Sequence, residues 1–242
     1  MFNYDNVNVN YEYINNKSKN TLVFLHGWGQ NIQMMLPIAN AFTKDNNVLV
    51  VDLPGHGKST EPQYPWELDH FVDMLHELFE SLKIKEPILI GHSFGGKLSM
   101  IYASKFKVKK LVLLSSPYKG EYKKIPLKVK VLKALAKVPG LKGMANYFKK
   151  HMGSTDYKNA SPIMRGILVK HVNYNAEDNL KKIDVPTIVI WGTNDTTVKI
   201  EQAYEIEKLV KDCAVIPYEG LGHFAYFDNP NQTINIIKSF IG

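Results

Sequence analysis

Short, wholly apolar runs alternate along the chain with longer stretches whose apolar positions recur every three or four residues. Apart from Thr21, Lys110 and Thr187 at their starts, the runs at 21–25, 48–51, 87–90, 110–114 and 187–191 are apolar on consecutive positions, the pattern of strands buried on both faces. A shorter run at 214–216 follows the last of them. Between the runs, 66–82 places Leu68, Phe71, Val72, Leu75, Leu78, Phe79 and Leu82 at helical spacing. Further helices are expected at roughly 32–43, 94–105, 200–211 and near 230–240. Residues 2–14 alternate apolar with polar in two short bursts and predict an antiparallel edge hairpin. Strands alternating with amphipathic helices predict an α/β fold, a mostly parallel sheet covered by helices on both faces. Residues 117–180 break this rhythm with helical pieces interrupted at Pro126, Pro139-Gly140 and Pro162. They read as a helical cap inserted into a core formed by 1–116 and 181–242.

The run 87–90 leads directly into Gly91-His92-Ser93-Phe94-Gly95-Gly96 and then a helix-forming segment. This order matches the nucleophile elbow G-x-S-x-G, a tight strand-to-helix turn that lifts a serine hydroxyl clear of the backbone. The first N–H groups of the following helix lack intrahelical partners and point back toward the serine, where an oxyanion would develop. A serine at its own pKa is a weak nucleophile and needs a base, which needs an orienting carboxylate. In a parallel sheet such partners converge at the carboxyl ends of later strands. Asp195 follows the run ending at Trp191, and His223 follows the one after it. The order Ser93, Asp195, His223 is the order the elbow architecture uses.

Competing motifs fail on inspection. Gly57-Lys58-Ser59 imitates a phosphate loop, but Asp52 stands where the leading glycine would be. His76-Glu77 is followed by Glu80 where a zinc signature has its second histidine. No dinucleotide fingerprint is present, so neither a cofactor nor a metal is expected. His26 and His56 read as structural, and Asp52 as an anchor of its own loop.

Four separated motifs carry a family resemblance: His26-Gly27-Trp28-Gly29, Asp52-Leu53-Pro54-Gly55-His56-Gly57-Lys58-Ser59, the elbow, and the Asp195/His223 pair. Together they resemble the α/β-hydrolase fold family over about residues 20–117 and 180–242. The resemblance implies backbone oxyanion donors at Trp28 and Phe94, and a lid at 117–180 that sets substrate choice. Candidate substrate contacts are Trp28, Tyr118, Met144, Tyr147, Phe148, Met152 and Phe224, which would make an acyl pocket that is largely apolar. The implied reaction is hydrolysis of a carboxylic ester with an apolar acyl part, through a Ser-His-Asp triad and an acyl-enzyme. A thioesterase, a lactonase, a carbon–carbon bond hydrolase or a signal receptor with little turnover would use the same residues.

Charge adds one feature. The chain carries a formal +7, yet 117–180 alone holds 13 Lys/Arg against four acids, so the remainder is slightly acidic. Within it, Lys130, Lys133 and Lys137 share one helical face, and Leu127, Val131, Leu135 and Val138 share another. The two readings are a solvated helix roofing the pocket, and a patch that steers an anionic carrier protein or lipid surface. The His-Gly-Trp-Gly loop with a helical cap is similar to carboxylesterases that demethylate a carrier-bound pimeloyl ester. Nucleic acid is not expected, because no recognisable binding module accompanies the lysines. A single cysteine, Cys213, fits a reducing compartment, and the N-terminal residues lack the basic and apolar regions of a signal peptide. No apolar run approaches membrane-spanning length, so a cytoplasmic protein is expected.

Overall fold

The computed structural model describes residues 1–120 and 155–242. The expected strands form one seven-stranded sheet. In chain order its members are β3 (Tyr11–Ile14), β4 (Thr21–Leu25), β5 (Asn47–Val51), β6 (Ile88–His92), β7 (Lys110–Leu114), β8 (Thr187–Gly192) and β9 (Cys213–Tyr218). Their order across the sheet is β3-β5-β4-β6-β7-β8-β9. All neighbours are parallel except β3, which pairs antiparallel with β5 at one edge.

Side chains alternate across each strand, so both faces need cover. One face buries Val23, Leu25, Leu89, Leu111, Leu113 and Val189 against α2 (Leu68–Ser81), α3 (Phe94–Ala103) and α7 (Glu201–Leu209). The other buries Leu22, Phe24, Ile88, Ile90, Val112 and Ile190 against α1 (Leu36–Ala39), α8 (Ala225–Asp228) and α9 (Pro230–Ile241). The consecutive apolar runs are thus two interleaved half-patterns, one for each layer.

Two local expectations are corrected. Residues 2–14 do not form one hairpin. β1 (Phe2–Tyr4) and β2 (Val7–Val9) make a separate two-stranded ribbon, while β3 joins the main sheet. Asp5 and Asn6, both at positive φ (48° and 60°), close the ribbon in a two-residue turn of the type I′ kind. The helix expected at 32–43 is divided into a 3₁₀ turn Ile32–Met34, the short α1, and a second 3₁₀ turn Asn40–Phe42. Pro37 lacks an N–H and its ring crowds the carbonyl four residues earlier, so a continuous helix cannot pass through it.

Between β7 and β8 lie α4 (Thr155–Asn159), α5 (Pro162–Asn173) and α6 (Glu177–Leu180). Pro162 starts α5, where its missing N–H costs nothing. The Ser161 hydroxyl caps it by accepting from the Met164 N–H at 3.1 Å. Met144, Tyr147, Phe148 and Met152, and the lysine-rich face at 130–137, lie outside the described residues. No helix among the described residues is long and apolar enough to cross a membrane.

The elbow is held by close backbone approach. A Cβ on Gly95 would stand 2.6 Å from the His26 carbonyl oxygen and closer still to that of Leu25. Both belong to β4 and its continuation, which cannot move aside. Gly95→Ala is therefore expected to lower stability by about 1–3 kcal/mol. That corresponds to a fall of roughly 2–12 °C in thermal midpoint. An unchanged midpoint would show that helix and strand are not pressed together as described.

Candidate active site

Ser93 sits between β6 and α3 with φ 50° and ψ −107°, a region that non-glycine residues rarely occupy. The strain is sustained by its neighbours: its N–H donates to the Leu114 carbonyl at 3.0 Å, and its carbonyl accepts from the Lys97 N–H at 3.0 Å. Phe94 is the first residue of α3, so its N–H has no intrahelical acceptor.

Asp195 follows β8, and its carboxylate is buried. Oδ1 accepts from the Thr197 and Val198 N–H groups at 2.8 and 2.9 Å. Oδ2 lies 2.7 Å from His223 Nδ1. A carboxylate oxygen only accepts, so His223 carries its proton on Nδ1 and keeps a lone pair on Nε2. Ser93, His223, Trp28 and Phe224 line one cavity of about 690 Å³. All lie at or just beyond the carboxyl ends of β4, β6 and β9, where such sheets bind ligands.

Around this centre the aromatic rings pack edge to face. Trp28 meets Phe94 at 5.4 Å and His56 at 5.0 Å, and lies parallel to His171 at 6.2 Å. His92, the variable elbow residue, is buried and donates from Nε2 to the His223 carbonyl at 3.1 Å. Burial drives its pKa well down, so the ring is neutral. His26 is pushed down to about 4, chiefly by burial. Its Nδ1–H donates to the Gly27 carbonyl and its Nε2 accepts from the Leu53 N–H. Asp52 holds three partners in and around its own loop, the Ile32 and Lys58 N–H groups and the Asn10 amide.

One candidate faces elsewhere. Tyr118 is 3% exposed, with its hydroxyl on Glu205 at 2.9 Å. The wall beside it is formed by Pro117, Lys119 and Gly120 instead. Lys97 and His171 are among the cavity-lining residues that sequence reasoning missed. Lys97 stands four residues after Ser93, in the first turns of α3, a spacing that could have singled it out. His171 lies in the last turn of α5 and carried no comparable signal.

The sequence profile described as the alpha/beta hydrolase family matches residues 22–236. Among curated proteins, the chain is 26% identical to "Monoacylglycerol lipase ABHD6" of Homo sapiens, over 92% of this chain and 75% of that protein. It is 25% identical to "AB hydrolase superfamily protein YisY" of Bacillus subtilis, covering 90% of each. Among solved structures it is similar to MGS-M2, an alpha/beta hydrolase enzyme from a deep-sea metagenome library. The TM-score there is 0.78 at 16% identity, over 100% of this chain and 96% of that one. With a profile match running from β4 into α9, on a sheet of this order, the chain belongs to the alpha/beta hydrolase family.

Proposed function

We propose that the protein is a serine hydrolase of carboxylic esters, with Ser93, His223 and Asp195 as its catalytic residues. The observation that carries this reading is the strained Ser93 opening onto the same cavity as a histidine whose proton is held on Nδ1 by a buried carboxylate. The similarity to a protein named as a lipase supports an ester as the bond cleaved.

In the proposed reaction the Ser93 hydroxyl attacks the ester carbonyl and His223 Nε2 takes its proton. Negative charge passes to the carbonyl oxygen, which the Trp28 and Phe94 N–H groups receive. The tetrahedral species collapses, and His223 returns the proton to the departing alkoxide. Water then repeats the sequence on the acyl-enzyme, releasing the carboxylic acid and restoring Ser93. Asp195 keeps Nδ1 protonated throughout and stabilises the imidazolium. Its own orientation is set by the Thr197 and Val198 N–H groups.

Residues 117–180 act as a cap in this account. Leu168, His171, Val172 and Asn173 of α5 form one wall of the cavity and support that role. The cavity is within the range of small-molecule sites. A series of p-nitrophenyl esters of increasing acyl length should therefore show serine-dependent turnover with a short or medium optimum. Labelling of the serine without turnover on any member would contradict the esterase reading.

A further inference from the structure

The cavity wall contains a charge that the reaction just described does not use. Lys97 is 1% exposed. Its ammonium donates to the His171 carbonyl at 2.9 Å and the Tyr174 carbonyl at 3.3 Å, at the end of α5. An ammonium has three donors, so one is left over. Lys119 also lines the cavity, but its charge is already matched by Glu205 at 2.8 Å. Among the described residues no carboxylate pairs with Lys97, and none lines the cavity. A second group is also unmatched: His171 is 6% exposed, lines the same cavity, and its Nδ1 has no hydrogen-bond partner. A buried polar group left without a partner is costly, and His171 Nδ1 is one, in a cavity wall that also holds an ammonium with a donor to spare.

We infer that Lys97 and His171 form a subsite for a carboxylate carried by the ester substrate. One carboxylate oxygen accepts from the Lys97 ammonium. The other accepts from His171, whose neutral ring supplies an Nδ1–H. His171 then gains the partner it lacks, and the lysine gains a counter-charge. Burial alone pushes the Lys97 pKa down to about 8, which is still high enough to leave it charged at neutral pH. Lys97 and Ser93 line the same cavity, so the charge and the nucleophile face one bound ligand. The expected substrate is an ester whose polar end is anionic.

The inference rests on the hydrolase reading, and its test separates the two. Ser93→Ala protein is titrated calorimetrically at pH 7 with the monoethyl esters of succinic, glutaric and adipic acid. The matching ethyl esters with a terminal amide in place of the acid serve as controls. At least one acid ester should bind tenfold or more tightly than its amide. Adding Lys97→Met should reduce that ratio at least tenfold, and His171→Phe should reduce it severalfold. A purely structural role would weaken acid and amide alike and leave the ratio unchanged. Equal affinity for acid and amide in the protein with Lys97 and His171 intact would overturn the inference without any variant needing to fold. Binding here requires no turnover, so loss of esterase activity on neutral p-nitrophenyl esters would count against the hydrolase reading alone.

Discussion

Ser93→Ala should lower kcat/KM on p-nitrophenyl esters by at least about a thousandfold while the protein stays folded. The substitution removes only the hydroxyl. The backbone at Ser93 remains anchored to Leu114 and Lys97, and alanine is no larger than serine. What is lost is the atom proposed to form the acyl bond, and the neighbouring serine hydroxyls cannot stand in for it. Ser115 and Ser116 are buried, and the Ser116 hydroxyl lies 3.1 Å from the Gly91 carbonyl behind the turn. Residual rate would come from the oxyanion donors and substrate positioning, which persist without the nucleophile. Circular dichroism and thermal midpoint should match the parent.

Stability should fall by at least about 3 kcal/mol as pH drops from 7 to 4. The cause is a set of buried, neutral histidines. His26, His56, His92 and His171 all have pKa values lowered, in each case chiefly by burial. In the unfolded chain a histidine binds a proton near pH 6.5, whereas folded His26 does so only near 4. Between those values the unfolded state holds more protons, so protonation favours unfolding. The stability is present above 6.5 and is lost as pH falls toward 4. His26 alone contributes about 3 kcal/mol, and the others act in the same direction. Lys97 adds nothing in this window, because it is protonated in both states below 8. The urea midpoint measured at intervals between pH 7.5 and 4 checks this. A flat profile would mean that these rings are not held dry.

Much of this was legible in the sequence, because the strong signals are local. Consecutive apolar runs with turn residues on either side identified each strand of the sheet from β4 to β9 to within about two residues. Gly91, Ser93 and Gly95 announce a turn whose sterics leave few alternatives. The failures share a cause, which is that burial by distant segments is not written locally. Lys97 looked like any lysine on a helix until α5, some 74 residues later, laid its carboxyl end across it. Tyr118 looked like a pocket aromatic because it belongs to the segment read as the cap, yet Glu205 of α7 draws its hydroxyl away from the cavity. Where sequence reasoning erred over 32–43, the information was present in Pro37 but outweighed by the apolar spacing.

The central claim is that ester cleavage passes through a covalent bond at Ser93. Rapid acid quench during turnover of a p-nitrophenyl ester, followed by peptide mapping by mass spectrometry, tests it most directly. The account predicts an acyl adduct on Ser93 and a p-nitrophenol burst approaching the enzyme concentration when deacylation is the slower step. Chemical slowing by His223→Ala should abolish both. Sustained turnover with the adduct on another residue, or turnover retained in Ser93→Ala, would contradict it.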